Sequence, residues 1–351
     1  MARTLFIVQG EGRGHLSQSV ALKEYLEEEG HTVEAVYLGG NPSREVPAYY
    51  RNIFKDKLNL FSSPWFLRTP NQKGIYVGRT ILYNLARSLA YVGEVRRLRR
   101  EINDLKPEVV FNFYDLIGAL ALRKLSPGIR RMGIGHHFFL HLDGYRCRRG
   151  KFFHKMLLKL HSRIIMKSCD RVLALSFREV PGNEKIHVVP PLVRQQFREA
   201  TYMKGSDYLV YLLHTGFVVD LIRLARSRPD LRFDLFSDLP LQTPVPEGIK
   251  LHRPDDHAFI EKMKHCRGVI TTAGFDTAAE AAYMGIPLGV IPLENHYEQL
   301  CNSDDVVRSG VGIILKDFSV ASLAEMEETD HTSYRSWVQG TGIQILKHVT
   351  G

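Results

Sequence analysis

Apolar runs of strand length alternate with stretches of helical periodicity along most of the chain. Residues 4–8 (Thr-Leu-Phe-Ile-Val) read as a central strand. Gln9 to Gly14 is a glycine loop, and from His15 to Glu29 the apolar residues Leu16, Val20, Leu22, Tyr25 and Leu26 recur at helical spacing before Gly30. Val33 to Leu38 supplies the next strand, so the chain opens with a βαβ unit. Residues 40–75 predict loops and short helices, and Gly78 to Ile102 one long helix. Further strands are expected at 109–113, 132–135, 172–175 and 187–189, with helices at 115–124 and 151–167 between them. Pro190-Pro191 ends this alternation. A second series follows: strand 208–213, helix 217–227, strand 232–236, a proline-rich loop 240–246, strand 249–251, helix 257–264 and strand 268–272. Thr277 to Met284 then reads as a helix and the run to Ile291 as a strand, before the polar cluster ending at Asn302; a weak helical pattern spans Tyr334 to His348.

This alternation predicts an α/β protein of two Rossmann-like, parallel-sheet domains facing across a cleft. The boundaries expected are 1–195, 206–330 and a C-terminal helical segment, 331–351, packing back on the first domain. A length of 351 residues suits two domains, and 44% hydrophobic with 24% charged residues is a globular composition. No apolar run approaches the roughly 18 residues of a membrane span, and the N-terminal run is of strand length, so no signal peptide is expected. Cys147, Cys169, Cys266 and Cys301 lack metal or disulfide spacing, consistent with reduced thiols and a cytoplasmic location. No metal site is expected.

Charge sharpens the division. Residues 1–200 hold 33 Lys and Arg against 18 Asp and Glu, whereas residues 201–351 hold 14 against 20. The first half therefore points to an anionic partner, such as the inner face of a membrane or a phosphorylated acceptor, or simply has a basic solvated surface. Residues 96–100 and 146–167 interleave Arg and Lys with Phe and Leu, as interfacial helices and ordinary sheet-packing helices both do. Nothing supports sequence-specific nucleic-acid binding.

Several residues carry candidate chemistry. Gly12, Arg13, Gly14 and His15 lie where a helix N-terminus follows a strand, and the glycines allow close approach of a phosphate or sugar. It is neither a P-loop nor a dinucleotide fingerprint. Asp115 ends a strand on the same sheet edge, where it either charges a histidine or caps a helix; His136 and His137 end the next strand. Thr277 and Glu280 have capping-box spacing, but Glu280 turned toward a cleft would accept both hydroxyls of a ribose. Glu298 and Gln299, with Asn302, open a helix and either bind sugar hydroxyls or form an ordinary acidic first turn.

Taken together these residues resemble the inverting glycosyltransferases of the GT-B fold, family 28 in particular, and more distantly the plant and antibiotic enzymes. The resemblance is carried by Gly10-x-Gly-Arg-Gly-His15, by Ile270-Thr-Thr-Ala-Gly-Phe-Asp-Thr-Ala-Ala-Glu280, and by Gly285-Ile-Pro287, Pro292, Glu298-Gln299, Asn302 and Gly310-x-Gly312. It implies a UDP-sugar donor with no further cofactor. Phe259 and Ile260 would read the base, Glu280 would hold the ribose, Gly274 and Thr277 would lie at the diphosphate, and Gly216 and Thr272 would belong to the same donor site. Glu298 and Gln299 would hold the sugar. It further implies His15 as general base with Asp115 as its partner, and Gly12, Arg13, Gly14, His136 and His137 on the acceptor side. Thr272 stands where plant-type enzymes have His, and Asp276 where Asn is usual; a Glu at position 272 would have suggested retention, so inversion is expected. The implied activity moves a hexose or N-acetylhexosamine to an acceptor hydroxyl, on a lipid-linked or membrane-associated glycan. The alternative is a non-catalytic nucleotide-sugar-binding subunit or sensor.

Overall fold

A computed structural model describes residues 1–41, 45–65, 67, 76–145, 152–212, 215–237, 244–253, 255–293, 296–326 and 331–350. The expected proline-rich loop lies largely outside them, as does the start of the basic 146–167 segment.

The first half runs β1 (Arg3–Gln9), α1 (Gly14–Glu28), β2 (Thr32–Gly40), α2 (Ala48–Phe54), β3 (Leu58–Ser62), α3 (Val77–Ala86) and α4 (Ser88–Leu105). It continues through β4 (Val109–Phe113), α5 (Leu116–Leu122), β5 (Arg130–Ile134), α6 (Phe152–Met166), β6 (Arg171–Leu175) and β7 (Ile186–Val189). The strands form one seven-stranded sheet in the order β3-β2-β1-β4-β5-β6-β7, every described pair parallel. Strands buried on both faces must be apolar throughout, which is why Leu5 to Val8 and Val109 to Phe111 are continuous runs.

After the short helix α7 (Gln195–Arg198), the second half runs β8 (Tyr208–Tyr211), α8 (Thr215–Ser227), β9 (Phe233–Phe236), β10 (Ile249–His252), α9 (Asp256–Lys264) and β11 (Gly268–Thr271). Then come α10 (Phe275–Met284), β12 (Leu288–Val290), α11 (Tyr297–Arg308), β13 (Ile313–Ile314) and α12 (Val320–Met326). Its parallel sheet has the order β10-β9-β8-β11-β12-β13. In each sheet the order reverses beside the first strand, between β1 and β4 and between β8 and β11. Such switch points open a crevice at the carboxyl ends of the strands.

Two corrections to the expected elements have local causes. β3 lies in a stretch expected to hold only loops and short helices; it is an edge strand whose Asn59 and Leu60 are exposed, so it lacks a buried apolar run. The long helix is two, broken at Arg87, which is the last residue of one cap and the first of the next.

The last helices, α13 (Thr332–Gln339) and α14 (Thr341–Thr350), return to the first sheet. Trp337 Nε1 donates to Ser176 O at 2.9 Å, Thr341 Oγ1 to Pro191 O at 3.2 Å, and Arg130 to the Val349 carbonyl. Tyr334 Oη meanwhile donates to Ala279 O of α10 at 3.0 Å. One buried apolar cluster accordingly runs through both halves, from Phe6 and Leu26 to Val290 and Ile345.

Candidate active site

The site forms where the two switch points face each other. β1 ends at Gln9, and α1 begins after Arg13 without a side-chain cap, leaving its first amides directed at the cleft. Opposite stands the first turn of α10, whose N-cap Gly274 is exposed and likewise has no capping side chain. The two helix starts nearly touch: a Cβ on Gly14 would lie 2.6 Å from Asp276 Oδ2. Beside them is a cleft of about 870 Å³, whose walls include Gly12, Arg13, Gly40 and Tyr49 from the first domain and Asp256 and Ile260 from the second.

His15 is half-buried, and its Nδ1 lies 3.3 Å from Gln18 Oε1, one turn along α1. Donation from Nδ1–H to that carbonyl oxygen leaves the Nε2 lone pair free. Its ring stacks on Tyr114, centroids 5.8 Å apart and planes 20° from parallel. Burial and the neighbouring His137 push the His15 pKa down to about 4, against the opposing pull of Glu298 and Gln18. The imidazole is therefore neutral at ordinary pH.

The expected His15–Asp115 pair is not formed. Tyr114, just before Asp115, takes φ +64°, a left-handed conformation unusual for a bulky residue. Asp115 instead caps α5, accepting from Gly118 N at 2.7 Å, and accepts from Ser63 Oγ at 2.5 Å. Asn112 clasps its backbone through both amide atoms. Burial raises its pKa to about 6 despite those hydrogen bonds. The helix-cap reading of Asp115 is the one realised.

Tyr114 gathers other imidazoles. His137 lies 4.6 Å from its ring and His161 4.9 Å, centroid to centroid. His137 Nε2 reaches Glu298 Oε1 at 3.3 Å, so Glu298 of the second domain faces the first domain's histidines. Burial opposes ionisation of Glu298, but His137, His296 and His15 outweigh it and hold the carboxyl well below its usual range. His136 faces the domain interface: its Nδ1 donates to Leu175 O at 2.8 Å and its ring stacks on Phe275 at 4.5 Å.

In the second domain the turn after β11 passes through Ala273 at φ +54°, with Thr272 buried beneath it. The expected capping box is absent, because Gly274 rather than Thr277 is the N-cap of α10. Thr277 is the third helical residue, half-buried. Asn302 is buried and donates from Nδ2 to Ala273 O at 3.0 Å, tying α11 to this turn. Gln299 Oε1 accepts from Leu293 N at 3.0 Å. Phe259 packs edge-on against Tyr211 and Phe236, Ile260 lines the cleft, and Gly216 lies in the first turn of α8.

Glu280 is neither a cap nor open to the cleft. Arg194, from the segment joining the domains, donates from Nε to its Oε1 at 2.6 Å and from Nη2 to its Oε2 at 3.1 Å. The same guanidinium donates from Nη1 to both oxygens of Asp256, at 2.8 and 3.1 Å. Neither Arg194 nor Tyr114 carries a spacing signal that singles it out; only Arg194's place just beyond Pro190-Pro191 hints at a role.

Two facing parallel-sheet domains with a cleft between them are the arrangement of the GT-B fold. The solved structures most alike in architecture include the kitacinnamycin glycotransferase, with a TM-score of 0.64, 16% identity and 99% and 98% of the two chains covered. LpCGTa in complex with UDP has a TM-score of 0.63 at 13% identity, over 99% and 98% of the chains. At those identities the likeness concerns fold. Glycosyl transferase family 1 matches residues 2–328, and the chain belongs to that family. Among curated relatives, an uncharacterized glycosyltransferase of Methanosarcina acetivorans is 27% identical over 339 residues, 88% of this chain and 82% of the relative. One from Methanosarcina mazei is 23% identical over 88% and 85%.

Proposed function

We propose that the protein transfers a hexose or N-acetylhexosamine from a UDP-sugar to an acceptor hydroxyl with inversion, as the family 28-like donor motif implies. The observation that carries this reading is His15: neutral, its Nδ1 tied to Gln18, and set where α1 starts opposite the donor turn. In the proposed step Nε2 takes the proton of the acceptor hydroxyl, whose oxygen bonds to the anomeric carbon. The bond from that carbon to the UDP oxygen breaks on the opposite face, and its electrons leave with the diphosphate. The uncapped start of α10 offers amides to that growing charge, so the reaction is expected to proceed without a divalent ion. Structures similar in fold were solved with UDP, or with UDP-2fluoro-glucose and pterostilbene, which supports a UDP-linked donor.

The test is hydrolysis of UDP-glucose with chelator present, water standing in for the acceptor. His15→Ala is expected to slow it by roughly 10²–10⁴ while leaving UDP affinity unchanged. Wild-type turnover in that variant would remove His15 from the chemistry.

A lipid-linked acceptor is the extension favoured by the first domain's surface. Leu82 (68% exposed), Leu85 (65%) and Leu89 (86%) stand out on α3 and α4, and Phe152 (81%) on α6, among Arg79, Arg87 and Lys155. No described helix is long and apolar enough to cross a membrane. Binding to anionic vesicles that weakens with salt is expected, and no binding at low salt would dismiss the membrane.

A further inference from the structure

Arg194 and Glu280 are among the most buried charged residues of the molecule, with 5% and 3% of their side chains exposed. Both carboxylate oxygens of Glu280 are engaged by the planar guanidinium, an arrangement with the strength and directionality of a bidentate ion pair. The outer edge of that guanidinium meets Asp256, which lines the cleft. Arg194 therefore links the cleft wall to Glu280. Its backbone belongs to the segment between the sheets, which is fastened onward to the first domain: Gln195 N donates to Glu24 Oε2 at 2.6 Å, and Arg198 pairs with Glu28 at 2.6 Å.

We infer that Arg194 is a gate on the ribose carboxylate: a nucleotide reaches Glu280 only as the Arg194 fork withdraws from it and stays on Asp256. The inference rests on the reading of Glu280 as the ribose ligand. Glu280 is only 3% exposed and the guanidinium stands between it and Asp256 at the cleft wall, so two ribose hydroxyls can reach its oxygens only from where the guanidinium now sits, and one partner must replace the other. Asp256 gives the displaced guanidinium a place to remain paired, which spares it the cost of an unpaired buried charge. Because Arg194 is continuous with the clamped segment at 195–198, its withdrawal moves the connection between the domains. Nucleotide occupancy and linker position are thereby one equilibrium, and a ligand that favours the open fork shifts it by its difference in affinity for the two states.

The test is UDP binding by calorimetry with amide exchange of the linker. Arg194→Lys keeps the positive charge beside Glu280 but cannot form the two-pronged contact, so UDP should bind roughly tenfold more tightly. Asp256→Asn removes the resting partner and should weaken UDP binding by a similar factor. In the wild type, UDP should speed exchange at residues 192–199. Glu280→Gln keeps the side-chain volume and reports on the underlying reading, and UDP binding should be largely lost. Unchanged UDP affinity in Glu280→Gln refutes the ribose reading and the gate with it. Loss of binding there, combined with unchanged or weaker binding in Arg194→Lys or with a linker protected by UDP, refutes the gate alone.

Discussion

Asp276 offers a sharp test of the electrostatics at the domain contact. It lies in the first turn of α10, against Gly14 and Gln18 of the other domain, with Glu280 and Arg194 as its charged neighbours. Burial raises its pKa from 3.8 to about 8, Glu280 adding to the rise while Gln18 and Arg194 oppose it. At neutral pH the side chain is then largely a neutral carboxylic acid, close in shape to the asparagine that the motif resemblance expects there. The sign of the linkage follows from the higher folded pKa. Between about pH 4 and pH 8 the native state holds a proton that the unfolded chain has lost, so stability falls as pH rises through that window. Each pH unit is worth about 1.4 kcal/mol, or close to 3 kcal/mol between pH 6 and pH 8 as an upper bound. Asp276→Asn keeps the shape and abolishes the titration. The melting temperatures of wild type and variant, measured by scanning fluorimetry at half-unit steps, should differ more at pH 8 than at pH 6. The gap should change by several degrees, at roughly 2 °C per kcal/mol for a chain of this size. Taking the difference between the chains removes titrations that both share. Parallel profiles would refute the burial argument.

Two more expectations concern the site's scaffold. Asp115→Ala should cost about 2–3 kcal/mol from the lost helix cap and the stranded Ser63 hydroxyl, seen as a lower Tm, while the folded enzyme keeps most of its donor hydrolysis. A fall of 10² or more in turnover at unchanged Tm would restore Asp115 as the partner of His15. Gly14→Val should lower Tm and turnover together, because even its Cβ would meet Asp276 Oδ2 at 2.6 Å and displace that carboxyl; a wild-type Tm would show that Asp276 swings clear without cost and would refute the prediction.

The fold was legible because parallel strands covered on both faces leave unmistakable apolar runs, and because turn residues punctuate them. The site was legible as a set of positions and not as a set of contacts. Spacing brought His15, Glu298 and the 272–280 turn to facing sheet edges, but it could not foresee that Tyr114 adopts a left-handed backbone. Asp115 there meets Ser63 and the amide of Gly118, contacts that leave no mark in local spacing. Nor could it foresee Arg194, since an isolated arginine after two prolines looks like any solvated linker residue until Glu280 is packed against it, 86 residues away. The two alternatives weighed for Glu280, cap or ligand, omitted this third partner because long-range pairing leaves no local periodicity.

The return of α13 and α14 to the first sheet also has a consequence for how the chain is made. The first domain's last strand, β7, ends at Val189, yet Ile345 and Val349, which are fully buried in the shared core, are synthesised some 150 residues later. At typical translation rates that interval lasts about 8–30 s. Throughout it, the face that α14 will cover is without its natural lid while the second domain emerges. The nascent first half must wait for α14 to be made, and a ribosome stalled anywhere in the second domain leaves that apolar face to the chaperones.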